Sequence, residues 1–472
     1  MALINFSGLA SGIDTNALID AMSTATRAQK VDPLNTRITE LTDTNSALET
    51  LKTKFTELKD SLYNFTTLSG GGIVKTATST NEAYVGATAS NAATNGTYSL
   101  NVTQLAKNGT YAYGHSFSAS TDFVATTAGG HAASGTITVE VGTGANKKTI
   151  SVNVTRDSTT IAQFVSQFNE QAAANGNCAQ ASLLNVGTAA SPDYRVMISS
   201  NNTGTTLGTL TFTSNYGFLD TSLPGGVESA AQNAIFDLNG VTGITRETNS
   251  VSDAVTGVTF SLQGIGSASV TVADDAKSTA TKIQDWVDIY NDLVEYISEN
   301  NEITRDESGS EVKNVFQPLA STSSDNTALS SFRDAISSIR SAISGTGINI
   351  LADLGITTQR DGTLKFDKTQ FEKSMSTSSS SVNSILQQFA DTTASTGGTI
   401  DTFIRFQGSF DLTINSNKTM IERMTTQISD AEKSIAEQEE ALRARFARLE
   451  SMMSKMQSQQ TALTSALAGL GK

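Results

Sequence analysis

Cysteine and histidine, the most versatile nucleophile, base and metal-ligand side chains, are few in this sequence. Cys178 is the single cysteine, which excludes an internal disulfide and any cysteine-based zinc site, since both need at least two thiolates. It follows Asn175-Gly176 with no evident base partner, so it reads as a small packing residue rather than a nucleophile. His115 and His131 lie in Gly/Ala/Ser-rich stretches without neighbouring carboxylates and read as surface residues. Gly142-Thr143-Gly144-Ala145-Asn146-Lys147-Lys148 has the composition of a phosphate loop but not its spacing, and no helix signal follows; a hairpin turn is the better reading. Asp306-Glu307-Ser308-Gly309-Ser310-Glu311 lacks the alternating carboxylates of a calcium loop and reads as a solvated loop. No catalytic residue, metal site or cofactor is assigned, and an enzyme is not expected.

The rest of the composition excludes further classes of function. With 472 residues the chain has room for about three domains. A net charge of −14 disfavours nucleic acid, which needs a basic field. The first eight residues, Met1 to Gly8, have no basic region and no continuous apolar run, and the first positive side chain is Arg27, so no cleavable signal peptide is expected. No run of about 18 apolar residues occurs, so no membrane span is expected.

The elements are written in two periods. Apolar residues return every seventh position at Leu34, Leu41, Leu48, Phe55 and Leu62, with Ile38, Leu51, Leu58 and Phe65 between them, which predicts a helix packed within its own chain. Asp32 before Pro33 reads as its N-cap, and Gly70-Gly71-Gly72 as its stop. The most regular seam is C-terminal: Ile421, Ile428, Ile435, Leu442, Leu449, Met456, Leu463 and Leu470 stand seven apart. Its other seam position alternates Met424, Ala431 and Met452 with Gln438, Arg445 and Gln459, too polar for a self-sufficient zipper. A helix from about Asn417 to Leu470 would reach roughly 80 Å, so this seam is read as packing between subunits, with Glu439 off it on a charged face. A short N-terminal stripe, Leu9, Ile13, Leu18 and Met22, is read as a second assembly element.

Between Ile73 and Val272 the period is two. Hairpins are expected at Asn95-Gly96 and between Val141 and Ile150, further strands at Val196–Ile198, Leu210–Phe212, Ile235–Leu238, Val258–Leu262 and Val270–Val272, and a helix around Thr160 to Ala174. Then come an amphipathic helix through Ile283, Trp286, Tyr290 and Ile297, a helix from about Ala328 to Ile343, and a hairpin with a type I′ signal at Asp361-Gly362. The serine run Ser374–Ser381 reads as a loop or the capped start of the next helix. The fold class is therefore multidomain α+β. Helical, coiled-coil termini fold back together (1–33 with 407–472), a helical middle domain carries a β-hairpin (34–72 with 273–406), and two β-rich domains are inserted (73–116 with 229–272, and 117–228). This reading places the cores between about Leu34 and Phe406.

Four blocks resemble one family. Phe6-Ser7-Gly8-Leu9-Ala10-Ser11-Gly12-Ile13-Asp14-Thr15, Tyr98-Ser99-Leu100-Asn101-Val102-Thr103-Gln104-Leu105-Ala106, Val287-Asp288-Ile289-Tyr290-Asn291-Asp292-Leu293 and Leu354-Gly355-Ile356-Thr357-Thr358-Gln359-Arg360-Asp361-Gly362-Thr363-Leu364 are similar, in order, to the bacterial flagellar filament cap proteins, the hook-associated protein 2 family. Between about Ser116 and Glu228 only the domain type is recognisable. The resemblance implies a homo-oligomeric cap, about five or six copies, at the distal filament tip, beneath which exported flagellin folds and inserts instead of being lost. It implies contacts with flagellin, hook–filament junction proteins and an export chaperone, and an extracellular location reached through the flagellar secretion apparatus. Two other readings stay open: a hook-junction or filament subunit, and a surface adhesin with glycan-binding β-domains on a coiled-coil stalk.

Overall fold

The structure, a computed structural model, describes residues 14–306 and 313–470. Leu9, Ile13 and the acidic run from Glu307 to Glu311 lie outside the described residues, as does the Leu470 side chain. Among the described residues the helices are α1 (Thr15–Lys30), α2 (Asp32–Tyr63), α3 (Ile161–Ala174), α4 (Ala276–Asn300), α5 (Ser324–Ser338), α6 (Lys368–Ala394), α7 (Thr399–Ile404) and α8 (Ser409–Leu470). None is long and apolar enough to cross a membrane. The chain divides into two compact units, Met1–Leu68 with Thr279–Lys472, and Ser69–Ser278.

The first unit is a helical bundle. The seven-residue spacing in α2 does what the sequence reading expects: Leu48, Leu51, Phe55, Leu58 and Leu62 are fully buried, against α6, α7 and α8. Aromatic rings knit the core, with Phe55 5.7 Å from Phe410, Trp286 5.4 Å from Phe389, and Phe332 5.7 Å from Phe389. The expected cap at Asp32 is not there. Val31 keeps a right-handed helical backbone, its N–H donates to the Arg27 carbonyl, and the Asn35 N–H donates to the Val31 carbonyl. Helical bonding thus runs almost unbroken from α1 to α2, leaving Asp32 as a first-turn acid that suits the positive end of the dipole. Nor does the glycine triplet stop α2. The helix ends at Tyr63, where Phe65 turns into the core and its N–H bonds back to the Leu62 carbonyl.

Three further boundaries differ from the sequence reading. Helix α5 ends at Ser338, because Ile339 goes extended to bury its side chain. The serine run lies inside α6 around a break at Ser378, whose hydroxyl accepts from the Ser381 N–H and so caps a new helical segment. Helix α8 starts at Ser409 and buries Phe410 and Ile414, so the core extends beyond Phe406.

Ile356–Thr358 and Leu364–Phe366 do form a hairpin, but its turn is not type I′, which needs positive φ at both central residues. Gly362 alone is left-handed, at φ +86°, closing a three-residue loop of Arg360, Asp361 and Gly362. A β-carbon at Gly362 would meet the Arg333 guanidinium, which donates to the Gly362 carbonyl. The hairpin is fastened to α4 by two side chains. The Tyr290 hydroxyl donates to the Gly362 carbonyl at 3.0 Å, and the Asn291 carboxamide pairs with both the N–H and the carbonyl of Leu364, at 2.7 and 2.9 Å. Two of the four sequence blocks thus touch.

The second unit is antiparallel β. Its first lobe has a five-stranded sheet in the order Lys75–Ser79, Gly266–Asp274, Gly96–Gln104, Ala234–Leu238, Val241–Arg246, and a three-stranded sheet of Ser250–Val255, Val258–Leu262 and Val85–Ala89. Alternating Leu100, Val102, Phe236, Phe260 and Val270 fill the core. Asn95-Gly96 is not a hairpin turn, because Gly96–Gln104 pairs with the distant strands 234–238 and 266–274 rather than with the strand before it. Residues 107–229 are inserted between those partners as a second lobe, with sheets of four and three strands and α3, capped by a Thr160–Gln163 box. Ser134–Val141 and Lys148–Thr155 form the expected hairpin, turning at Gly142 (φ +82°). Cys178 packs in this lobe's core, where burial pushes its thiol up and away from nucleophilic character.

Candidate assembly surface

The C-terminal register is covered unequally. Helix α1 lies antiparallel along α8: Arg27 meets Glu432 at 3.0 Å and Glu439 at 3.6 Å, and Asp20 meets Arg443 at 3.9 Å. Asp14 caps α1, its carboxylate accepting from the Asn16 and Ala17 N–H groups. The face turned inward carries Thr15, Ile19 and Ser23, all buried. Along α8, Ile435 is 2% exposed, and Ile421, Ile428 and Leu442 are half-buried. The ion pairs are partly solvated, each worth about 0.2–1 kcal/mol, so apolar burial at Ile19 and Ile435 dominates the docking.

Beyond Leu442 the same register opens to solvent. Leu449 is 52% exposed, Met456 62% and Leu463 65%, and Met452 and Leu467 are exposed on the same side. A stripe at positions 449, 452, 456, 463 and 467 keeps a helical face, so α8 presents about five turns of apolar surface that the described residues leave uncovered. Leu18 and Met22 of α1 are also exposed, turned away from the buried Ile19–Ser23 face. One polar assignment changes: Glu439 is not a free charged-face residue but a partner of Arg27.

α7 and the root of α8 are each held to α2 by an ion pair that sequence spacing does not reveal, since the partners lie more than 300 residues apart. Lys52 donates to Asp411 and Lys59 to Asp401, each at 2.6 Å. The Lys59 ammonium, then the Gly397 N–H, hold the Asp401 carboxyl below its ordinary value; the Lys52 ammonium does the same for Asp411, aided by the Gln407 N–H.

The two histidines are not free surface residues. Both converge on Phe218 in the second lobe: the His115 imidazole stacks on it at 4.0 Å and 7°, and His131 meets its edge at 4.6 Å. Burial, then the nearby His131, push His115 below the usual imidazole value, while Asp122 pulls the other way. Among the described residues no group of three His, Cys, Asp or Glu side chains could hold a metal ion.

Comparison with known proteins now adds a family to this geometry. The family model for the flagellar hook-associated protein 2 N-terminus matches residues 11–109, and that for its C-terminus matches residues 231–458, together well over half of the chain. The stretch between the two matches, 110–230, is almost all of the second lobe. The B-type flagellar hook-associated protein 2 of Pseudomonas aeruginosa is 27% identical, covering 99% of this chain and 94% of that one. The flagellar hook-associated protein 2 of Escherichia coli O157:H7 is 26% identical, covering 98% of both. The crystal structure of the D1-D2-D3 domains of the Escherichia coli flagellar cap protein aligns with 80% of this chain and 99% of its own, at 22% identity and a TM-score of 0.56, which supports the fold. Both terminal regions and their order agree: the chain belongs to the flagellar hook-associated protein 2 family, the structural caps of the flagellar filament.

Proposed function

We propose that the protein caps the filament tip by contacts alone, with no catalytic step, and that the open apolar stripe of α8 from Leu449 onward is where copies of the chain meet. The observation that carries this is the unequal covering of one register: the described residues bury Ile435 and leave Leu449, Met456 and Leu463 exposed. Burial of five such residues is favourable, with an upper bound of about 1.5–3 kcal/mol each before the cost of association is subtracted. Residues 1–33 with 407–472 act as the attachment leg, and Leu18 and Met22 contribute the N-terminal part of that surface. A homo-oligomer of about five or six copies shelters arriving flagellin while it folds and inserts, and prevents its loss. Hook–filament junction proteins and an export chaperone are its further partners, and the flagellar secretion apparatus carries it out. Immunogold labelling of intact cells tests this: label confined to filament ends supports a cap, whereas label along the filament length sinks it in favour of a filament subunit.

A further inference from the structure

Methionine is distributed unevenly in this chain. Of nine methionines, Met22, Met420, Met424, Met452, Met453 and Met456 stand on α1 and α8, whereas Met375 is buried in α6. Met452 is 66% exposed and Met456 62%, both within the open stripe, and Met22 is 49% exposed on α1. A thioether in water is open to peroxide, and its sulfoxide replaces a flexible apolar group with a polar one.

We propose that Met452, Met456 and Met22 are oxidation sites that gate assembly: a free subunit oxidised there is barred from docking, and a docked one is shielded. This rests on the assembly role of the α8 stripe. The thioether sulfur attacks one oxygen of a hydroperoxide, the O–O bond breaks, and the departing hydroxide or alkoxide takes up a proton as water or alcohol. Sulfur loses two electrons and the peroxide gains them. The product oxygen sits on a surface that docking must dry, so it has to be desolvated without an assured partner. Docking itself covers the sulfurs and removes them from the oxidant.

The test uses the full chain, hydrogen peroxide as the probe, peptide mass spectrometry to locate sulfoxide, and sedimentation to follow self-association. Oxidation at Met22, Met452 and Met456 is expected to weaken association at least tenfold, with recovery after treatment by the two methionine sulfoxide reductases of opposite epimer preference. The triple variant Met22→Leu/Met452→Leu/Met456→Leu is expected to associate normally before and after peroxide. Equal loss in that variant overturns the inference, because the sensitive residue then lies elsewhere. Unchanged association of the oxidised wild type, while Leu449→Asp lowers it, overturns the inference alone. If Leu449→Asp also leaves association unchanged, the assembly role of the stripe fails with it.

Discussion

Ile435 and Leu463 stand in one heptad register, yet one is 2% and the other 65% exposed, so the same kind of substitution must act on different states. Ile435→Ala removes a side chain buried under α1. Large-to-small changes of this type cost about 2–5 kcal/mol in a closed core, and a two-helix contact belongs at the low end, about 2 kcal/mol. The two ion pairs of Arg27 are partly solvated and cannot make up that loss. A change of about 2 kcal/mol is about 30-fold in an opening equilibrium, so amides of Thr15–Lys30 should exchange about 30-fold faster in the isolated variant, while α2 beyond Leu48 stays protected. Leu463→Asp should leave exchange and melting of the isolated chain unchanged, within about 0.5 kcal/mol, because no described residue covers Leu463 before assembly. Equal destabilisation by both variants would refute the division of α8 into a self-covered and an open part. Slower exchange of the isolated wild-type stripe than of the Leu463→Asp variant would do the same.

Asn291→Ala should cost about 1–3 kcal/mol in denaturant titration of the chain, because the N–H and carbonyl of Leu364 lose their partner together; a change under about 0.5 kcal/mol would mean that the α4–hairpin fastening is dispensable. The carboxyls of Asp401 and Asp411 are depressed, so their contribution is complete above the ordinary carboxylate value of about 4 and fades as pH falls through the lower folded values. Lys52→Met/Lys59→Met should therefore melt lower at pH 7 but lose less on acidification, and parallel pH profiles for variant and wild type would contradict this. His115 is held neutral, so the stability it confers is lost as pH falls below the ordinary imidazole value of about 6.5. His115→Phe should flatten the acid-side loss of protection in the second lobe as pH falls below about 6.5, which amide exchange resolves; an unchanged profile would assign the loss to another group.

Periodicity made the helices and strands legible, but not where they end. The buried face of α2 could be read off because every residue from Leu48 to Leu62 on that face obeys one spacing, whereas the Asp32 cap failed because Val31 can carry helical backbone and no local residue forbids it. The hairpin of Ile356–Phe366 was visible in its pattern, but its turn type depends on the sign of φ at Asp361, which the Asp-Gly pair does not decide. The strand after Gly96 was visible, and its partners were not, since they arrive from 130 to 170 residues downstream. The α8 register was legible as a seam. Its division was not, because heptads say that a residue is covered and not by which chain, and α1 reaches only as far as its own length allows. The Phe218 meeting point of His115 and His131 left no signal in the sequence, as ring stacking carries no spacing rule.

The assembly role of the open stripe is tested most directly by flagellin shed into the medium from cells carrying Leu449→Asp or, as the charge-changed control, Glu440→Lys, an exposed residue off the apolar register. An aspartate at 449 forfeits about 1.5–3 kcal/mol of apolar burial and adds the desolvation of an unpaired charge, whereas an exposed charge reversal stays within about 0.5 kcal/mol. The structure predicts short filaments and abundant shed flagellin for Leu449→Asp, and near-normal filaments for Glu440→Lys. Equal shedding from the two strains would contradict it.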